Sequence, residues 1–82
     1  MRKPEKVYAT FGEIVQQRRH DLGWNQVKIA EKVKLSRGSV ANIETGRQRI
    51  LLHDLFTFAK VLRLDPRIMF AMLTHSKTGR PL

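Results

Sequence analysis

The strongest constraint on the fold is a pair of helix-start signals, Asn25 and Ser36, spaced so closely that the first can open only a short helix. Asn25 is a favourable N-cap, and Val27, Ile29, Ala30 and Val33 mark an inward face that runs out at about Val33. After Lys34 and Leu35, Ser36 caps a second short helix that carries Val40 and Ile43 on one face and closes at Gly46 in the C′ position. Leu35 and Val40 are spaced for a hydrophobic staple across that cap. Ala30 stands at the centre of the first helix, opposite Val40 and Ile43, where a close crossing needs a small side chain.

Three further helices flank this pair. Phe11, Ile14, Val15, the methylene stem of Arg18 and Leu22 recur at helical steps, with Thr10 as N-cap, Glu13 at N3 and Gly23 as the stop. Beyond a basic loop, Arg47 to Leu51, the residues Leu52, Leu55, Phe56, Ala59 and Leu62 trace a fourth amphipathic helix. Asp65 and Pro66 read as N-cap and N1 of a fifth, which carries Ile68, Met69, Met72 and Leu73. The expected fold is all-α, a compact five-helix bundle over residues 10–74, between a basic arm at 1–9 and a flexible polar tail at 75–82 with little to bury. No internal repeat or sustained period-2 alternation argues for anything else.

A chain of 82 residues holds one small domain, which excludes multi-domain enzymes. Sixteen Lys and Arg against seven Asp and Glu leave a net charge of +9, which calls for a polyanionic partner. With 41% hydrophobic residues the chain has enough apolar surface to fold, unlike a disordered basic tail. There is no cysteine, so neither a disulfide framework nor a thiolate metal site is available, and a small core must rest on packing, helped by a dimer. The charged start lacks the apolar run of a secretory signal, and the longest apolar stretch, Ile68 to Leu73, is far short of a membrane span. A cytoplasmic, soluble protein without a membrane partner is expected.

Two short helices joined by a tight turn, the second capped by Ser with small polar residues outward, match a helix-turn-helix. By itself that pattern is common to small helical bundles. The combined string is more specific: Trp24-Asn25-Gln26, Ile29-Ala30-Glu31-Lys32, Leu35-Ser36-Arg37 and Val40 through Arg47. In these residues the chain resembles the Cro and phage-repressor type of helix-turn-helix, the xenobiotic response element (XRE) family, over about residues 11 to 70. The resemblance implies five helices, a two-fold dimer and a palindromic operator in double-stranded DNA.

It also implies roles. Asn25 and Gln26 resemble residues that clamp a phosphate, where exposed amides and the helix dipole favour an anion in any case. Helix three would enter the major groove with Arg37, Gly38, Ser39 and Asn42 outward. Arg37 suits guanine O6 and N7, and Asn42 suits adenine N6 and N7, although a phosphate contact is the competing role for Arg37. Gly38 reads either as space for close approach to a base or as a frayed helix start. Lys34, Ser36, Thr45, Arg47 and Arg49 are candidate phosphate contacts, on a stretch (residues 25–49) that holds six basic and two acidic residues. Glu44 would be repelled by DNA. In the family this position pairs with an arginine of helix one, which Arg19 matches. Ile68, Met69, Met72 and Leu73 form the expected dimer seam. The chain departs from the family at Lys34 and Arg63, where glycine is common, and at Leu51, where a polar cap is normal.

Other chemistry finds little support. The acids are scattered, His20, His53 and His75 share no metal-ligand spacing, and no phosphate-binding Gly-rich loop occurs. No enzyme activity, metal or cofactor is expected. Trp24 reads as a plug between helices one and two, and Phe56, Phe58 and Phe70 as core or interface. The functional reading is therefore a transcription regulator without room for a ligand-sensing module. Autorepressor, restriction-modification controller and antitoxin with a toxin partner all remain open. The competing class is a basic helical module that binds protein, which salt-independent partner binding would separate from DNA binding.

Overall fold

In the computed structural model, which describes residues 5–74, five helices succeed one another: α1 (Glu5–Asp21), α2 (Gln26–Val33), α3 (Arg37–Glu44), α4 (Leu52–Val61) and α5 (Pro66–Thr74). The all-α five-helix class is thus observed. Local polar chemistry opens four of the helices. Asn25 Oδ1 accepts the Lys28 amide at 2.8 Å, and Ser36 Oγ accepts the Ser39 amide at 3.0 Å. Leu51 has no polar side chain to offer, so α4 is held from the other direction: Asp54 Oδ2 accepts the Leu51 amide at 3.1 Å. Asp65 Oδ1 accepts the Arg67 amide at 2.8 Å, and the Arg67 guanidinium bonded to Asp65 holds its carboxyl below the usual carboxylate range.

α1, α2, α3 and α4 all terminate by one device. Gly23, Lys34, Gly46 and Arg63 adopt left-handed backbone, with φ of 73°, 62°, 76° and 60°. The amide that follows each one reaches back to a carbonyl of the last turn: Trp24 to Arg19, Leu35 to Ala30, Arg47 to Asn42 and Leu64 to Ala59, at 2.8 to 3.0 Å. A non-glycine residue in this conformation costs about 1 kcal/mol. Leu35 and Leu64, the residues after Lys34 and Arg63, pack against the core and offset that cost.

α1 differs from expectation. It begins at Glu5, so Thr10 lies inside the helix, where its hydroxyl donates to the Lys6 carbonyl at 3.1 Å instead of capping. Residues 5–9 of the expected basic arm are therefore helical. Val7 packs against the core, and Gly46 lies so close to Ala9 that a Cβ on it would stand 2.8 Å from the Ala9 Cα. Burial, not a cap at Thr10, supports this first stretch of helix. The rest of the expected arm (residues 1–4) and the expected tail (75–82) lie outside the described residues.

Phe11, Val15, Ile29, Val40, Ile43, Phe58, Leu62 and Met69 form the centre of the core, with the Phe11 and Phe58 rings edge to face at 5.5 Å. Val27 was expected inward but is 49% exposed, because Ile29, Ala30 and Val33 occupy the buried stripe of α2. Met69 and Leu73 also correct the expected dimer seam. Both are buried within this chain, since they, and not Ile68 and Met72, are the α5 residues that meet the core. Phe58 is core, whereas Phe56 and Phe70 are exposed. Trp24 is half-buried at the α1–α2 junction, with the Lys28 and Lys32 ammonium groups 5.9 and 5.1 Å from its ring centre. α3 packs on α1 and α2, while α5 packs on α4 and α1. Among the described residues no helix is long and apolar enough to cross a membrane.

Candidate nucleic-acid interface

The placement of α3 begins with two residues of α1. Gly12 lets the helices touch through backbone: a Cβ there would collide with the Ile43 carbonyl oxygen and stand 2.7 Å from that of Glu44. Farther along, Arg19 Nε donates to Glu44 Oε2 at 2.7 Å and Nη2 to Oε1 at 3.0 Å, while Nη1 donates to the Trp24 carbonyl at 2.9 Å. The Glu44 side chain is wholly buried and that of Arg19 is 9% exposed. This two-pronged pair, desolvated and fully bonded, fixes the roll of α3 about its axis. It also keeps the carboxylate of α3 inside the protein, away from any polyanion that the outer face would meet.

With Val40, Ile43 and Glu44 committed inward, Arg37, Gly38 and Asn42 are exposed and Ser39 is half-buried. The space around Gly38 is open, the nearest contact to a Cβ being Ser36 Oγ at 3.9 Å. The helix itself therefore does not demand glycine at this position. Arg37 Nη1 donates to Gln26 Oε1 at 3.1 Å, and Gln26 Nε2 donates to Glu44 Oε1 at 3.1 Å. A chain of hydrogen bonds thus runs from the buried ion pair to the surface arginine.

The remaining candidates surround this face unequally. Lys34, Arg47 and Arg49 are exposed, with Lys34 in the turn between α2 and α3 and the two arginines in the loop after α3. Asn25 and Ser36 are occupied as caps, and the Thr45 hydroxyl donates to the Ala41 and Asn42 carbonyls at 3.1 and 3.2 Å. Neither α2 nor α3 has an acidic residue in its first turn, so nothing there neutralises the positive end of either helix dipole. The two uncompensated helix starts lie together, joined by a hydrogen bond between their first residues, which suits an anion. Among the described residues no cluster of His, Asp or Glu could hold a metal ion.

Sequence reasoning did not single out Gly12. Its signal was available, because a glycine inside a helical pattern marks a close backbone approach. The Gln26 bridge was hidden, since Gln26 was read as a phosphate ligand and nothing in its spacing links it to Arg37.

The fold and this geometry agree with the comparisons. Residues 14–69 match the helix-turn-helix family model. A comparison with curated protein sequences gives no match. Among solved structures, the restriction-modification controller protein C.AhdI from Aeromonas hydrophila is similar, with a TM-score of 0.71 and 27% identity over 77% of this chain and 96% of that one. The clp gene regulator ClgR from C. glutamicum has a TM-score of 0.74 at 19% identity, covering 82% of this chain and 87% of its own. The restriction-modification controller protein C.Esp1396I has a TM-score of 0.72 at 22% identity over 82% of this chain and 87% of that one. From the matched residues and the five-helix fold, the chain belongs to the XRE-type helix-turn-helix family of DNA-binding transcription regulators.

Proposed function

We propose that the protein is a dimeric, sequence-specific regulator that reads an inverted-repeat operator through the major groove and represses by where it sits. The observation that carries this reading is the orientation of α3: a buried ion pair and two buried aliphatic residues hold its inner side, and Arg37, Gly38 and Asn42 form the outer one. Arg37 reads guanine, Asn42 reads adenine, and Gly38 leaves room for a base or a thymine methyl. Asn25 and Ser36 belong to the phosphate-facing rim through their backbone, their side chains being engaged as caps, whereas the amide and the hydroxyl of Thr45 both donate within α3. Lys34, Arg47 and Arg49 supply charge to it.

Arg37→Ala and Arg49→Ala separate these roles. The first is expected to relax preference at one base pair and to cost about 1–3 kcal/mol on the preferred duplex. The second weakens all duplexes alike and lowers the salt slope by about one. Equal behaviour of the two variants across a panel of duplexes would contradict the assignment. The controller type of regulator is a second reading, favoured by the 27% identity to a restriction-modification controller whose chain this one matches over 96% of its length.

In this reading the dimer forms through the outer side of α5. Ile68, Phe70 and Met72 are 59%, 55% and 47% exposed, and the small Ala71 between them is exposed too. On the helix Ile68, Ala71 and Met72 form one apolar face turned away from Met69 and Leu73, with Phe70 on the other flank beside Leu52, Leu55 and Phe56 of α4, and the small Ala71 lets two helices approach. A two-fold α5–α5 contact would present two α3 helices to half-sites about one helical turn, 34 Å, apart. Met72→Glu is expected to convert a dimer into a 9.5 kDa monomer that keeps its helical content. An unchanged mass by light scattering would reject the seam.

A further inference from the structure

We propose that the apolar trough along α4 and α5 is the docking site for an acidic amphipathic helix of a protein partner, a second contact separate from the DNA face. It does not rest on the operator reading above.

Neither the outer face of α3 nor the α5 seam accounts for four of the most exposed apolar side chains. Leu51, Leu52, Phe56 and Phe70 are 64%, 69%, 52% and 55% exposed. They border two adjoining hollows of about 320 and 470 Å³ that share Leu52, Leu55 and Phe70 as walls. The first reaches Val7 and Tyr8 of α1, and the second reaches Pro66 at the start of α5. Together they make one apolar trough with sockets for large side chains, the kind of contiguous patch that marks an interaction site on a small protein. A helix suits such a trough, because its side chains at i, i+3, i+4 and i+7 lie in one line and fill successive sockets.

Charge selects the kind of helix. Among the described residues, Arg67 is the only charged side chain lining either hollow. Lys6, Arg49 and His53, each next in sequence to a lining residue, are exposed beside it. The acids close by are engaged within the chain: Asp54 Oδ2 accepts the Leu51 amide at 3.1 Å, and Asp65 is bonded to Arg67 at 3.0 Å. An apolar strip bordered by cations, on a chain of net charge +9, complements glutamate and aspartate on the flanks of a docking helix and repels a basic one. No residue of α3 lines either hollow, so a helix seated there leaves the DNA face open.

The test is an NMR titration of the full chain with a synthetic helix of about 18 residues, about five turns, carrying leucine at i, i+3, i+4 and i+7 and glutamate elsewhere. Saturable binding is expected, with shifts at Val7, Leu55 and Phe70. Leu52→Ser with Phe70→Ser is expected to weaken it roughly tenfold or more, whereas Val27→Ser, which removes an exposed apolar side chain from α2, leaves it unchanged. Both replaced side chains are more than half exposed, so the fold survives; Phe56→Ser alone serves if circular dichroism shows that the pair unfolds. The same helix with lysine in place of glutamate is expected to bind roughly tenfold more weakly. No saturable binding, or shifts confined to α3, would overturn the proposal, and equal affinity for the two peptides would overturn the acidic partner. A fall in mass by light scattering on Leu52→Ser with Phe70→Ser would give the trough to a second copy of this chain. Contacts between residues 75–82 and Phe70 in the free chain would give it to the tail, and either result overturns the proposal.

Discussion

Replacing Glu44 by alanine is expected to cost about 3–5 kcal/mol of folding stability, the range for breaking a buried ion pair by removing one partner. The size follows from what remains: a guanidinium 9% exposed whose one other partner is the Trp24 carbonyl. An exposed pair of the same residues would contribute about 1 kcal/mol or less. The larger figure is a sizeable share of a domain's whole stability, so the thermal midpoint should drop on the order of 20 °C. The paired replacement Arg19→Met with Glu44→Leu removes both charges and should recover most of the loss. Thermal and urea unfolding followed by circular dichroism give both numbers. A loss below about 1 kcal/mol for Glu44→Ala would mean that water reaches the pair and that the roll of α3 is set by its aliphatic residues alone.

Gly12→Ala is the second large effect, and its sign opposes intrinsic propensity. In an unobstructed helix this change stabilises by about 0.5–1 kcal/mol. Here the new methyl would meet two carbonyl oxygens of α3, and backbone cannot move aside as a flexible side chain does. Relief comes only by parting α1 from α3, which also stretches the Arg19–Glu44 bonds. A loss of at least about 2 kcal/mol is expected, toward the upper end of overpacking costs. Gly38→Ala is the internal control, since open space surrounds that position. A stabilised Gly12→Ala variant would show that the two helices do not touch at this point.

These two glycines also show how much of the molecule was legible beforehand. The caps at Asn25 and Ser36, the stop at Gly46 and the departures from glycine at Lys34 and Arg63 are local chemistry, carried by one or two residues each. Five helices could be read from them. The start of α1 could not, because residues 5–9 are held by contacts with Gly46 and the core, which lie far along the chain. The phase of α5 was misjudged for a related reason. Ile68, Met69, Met72 and Leu73 are all apolar, so periodicity alone could not tell which pair meets α1 and α4 and which pair meets solvent. At the site, residue types pointed to Arg37 and Asn42 through their hydrogen-bonding capacity. The partners of Gln26 depend on how α2 and α3 cross, which no spacing in the sequence encodes.

The central claim is that the outer face of α3 reads a DNA sequence from both halves of a two-fold assembly. Selection from a random duplex pool at about physiological salt, followed by sequencing of the retained fraction, tests it most directly. The account predicts an inverted repeat with half-sites one helical turn apart, containing a guanine whose preference disappears in Arg37→Ala. Retention that is sensitive to salt but blind to sequence would contradict it, and would leave the +9 chain as a basic clamp on the phosphate backbone.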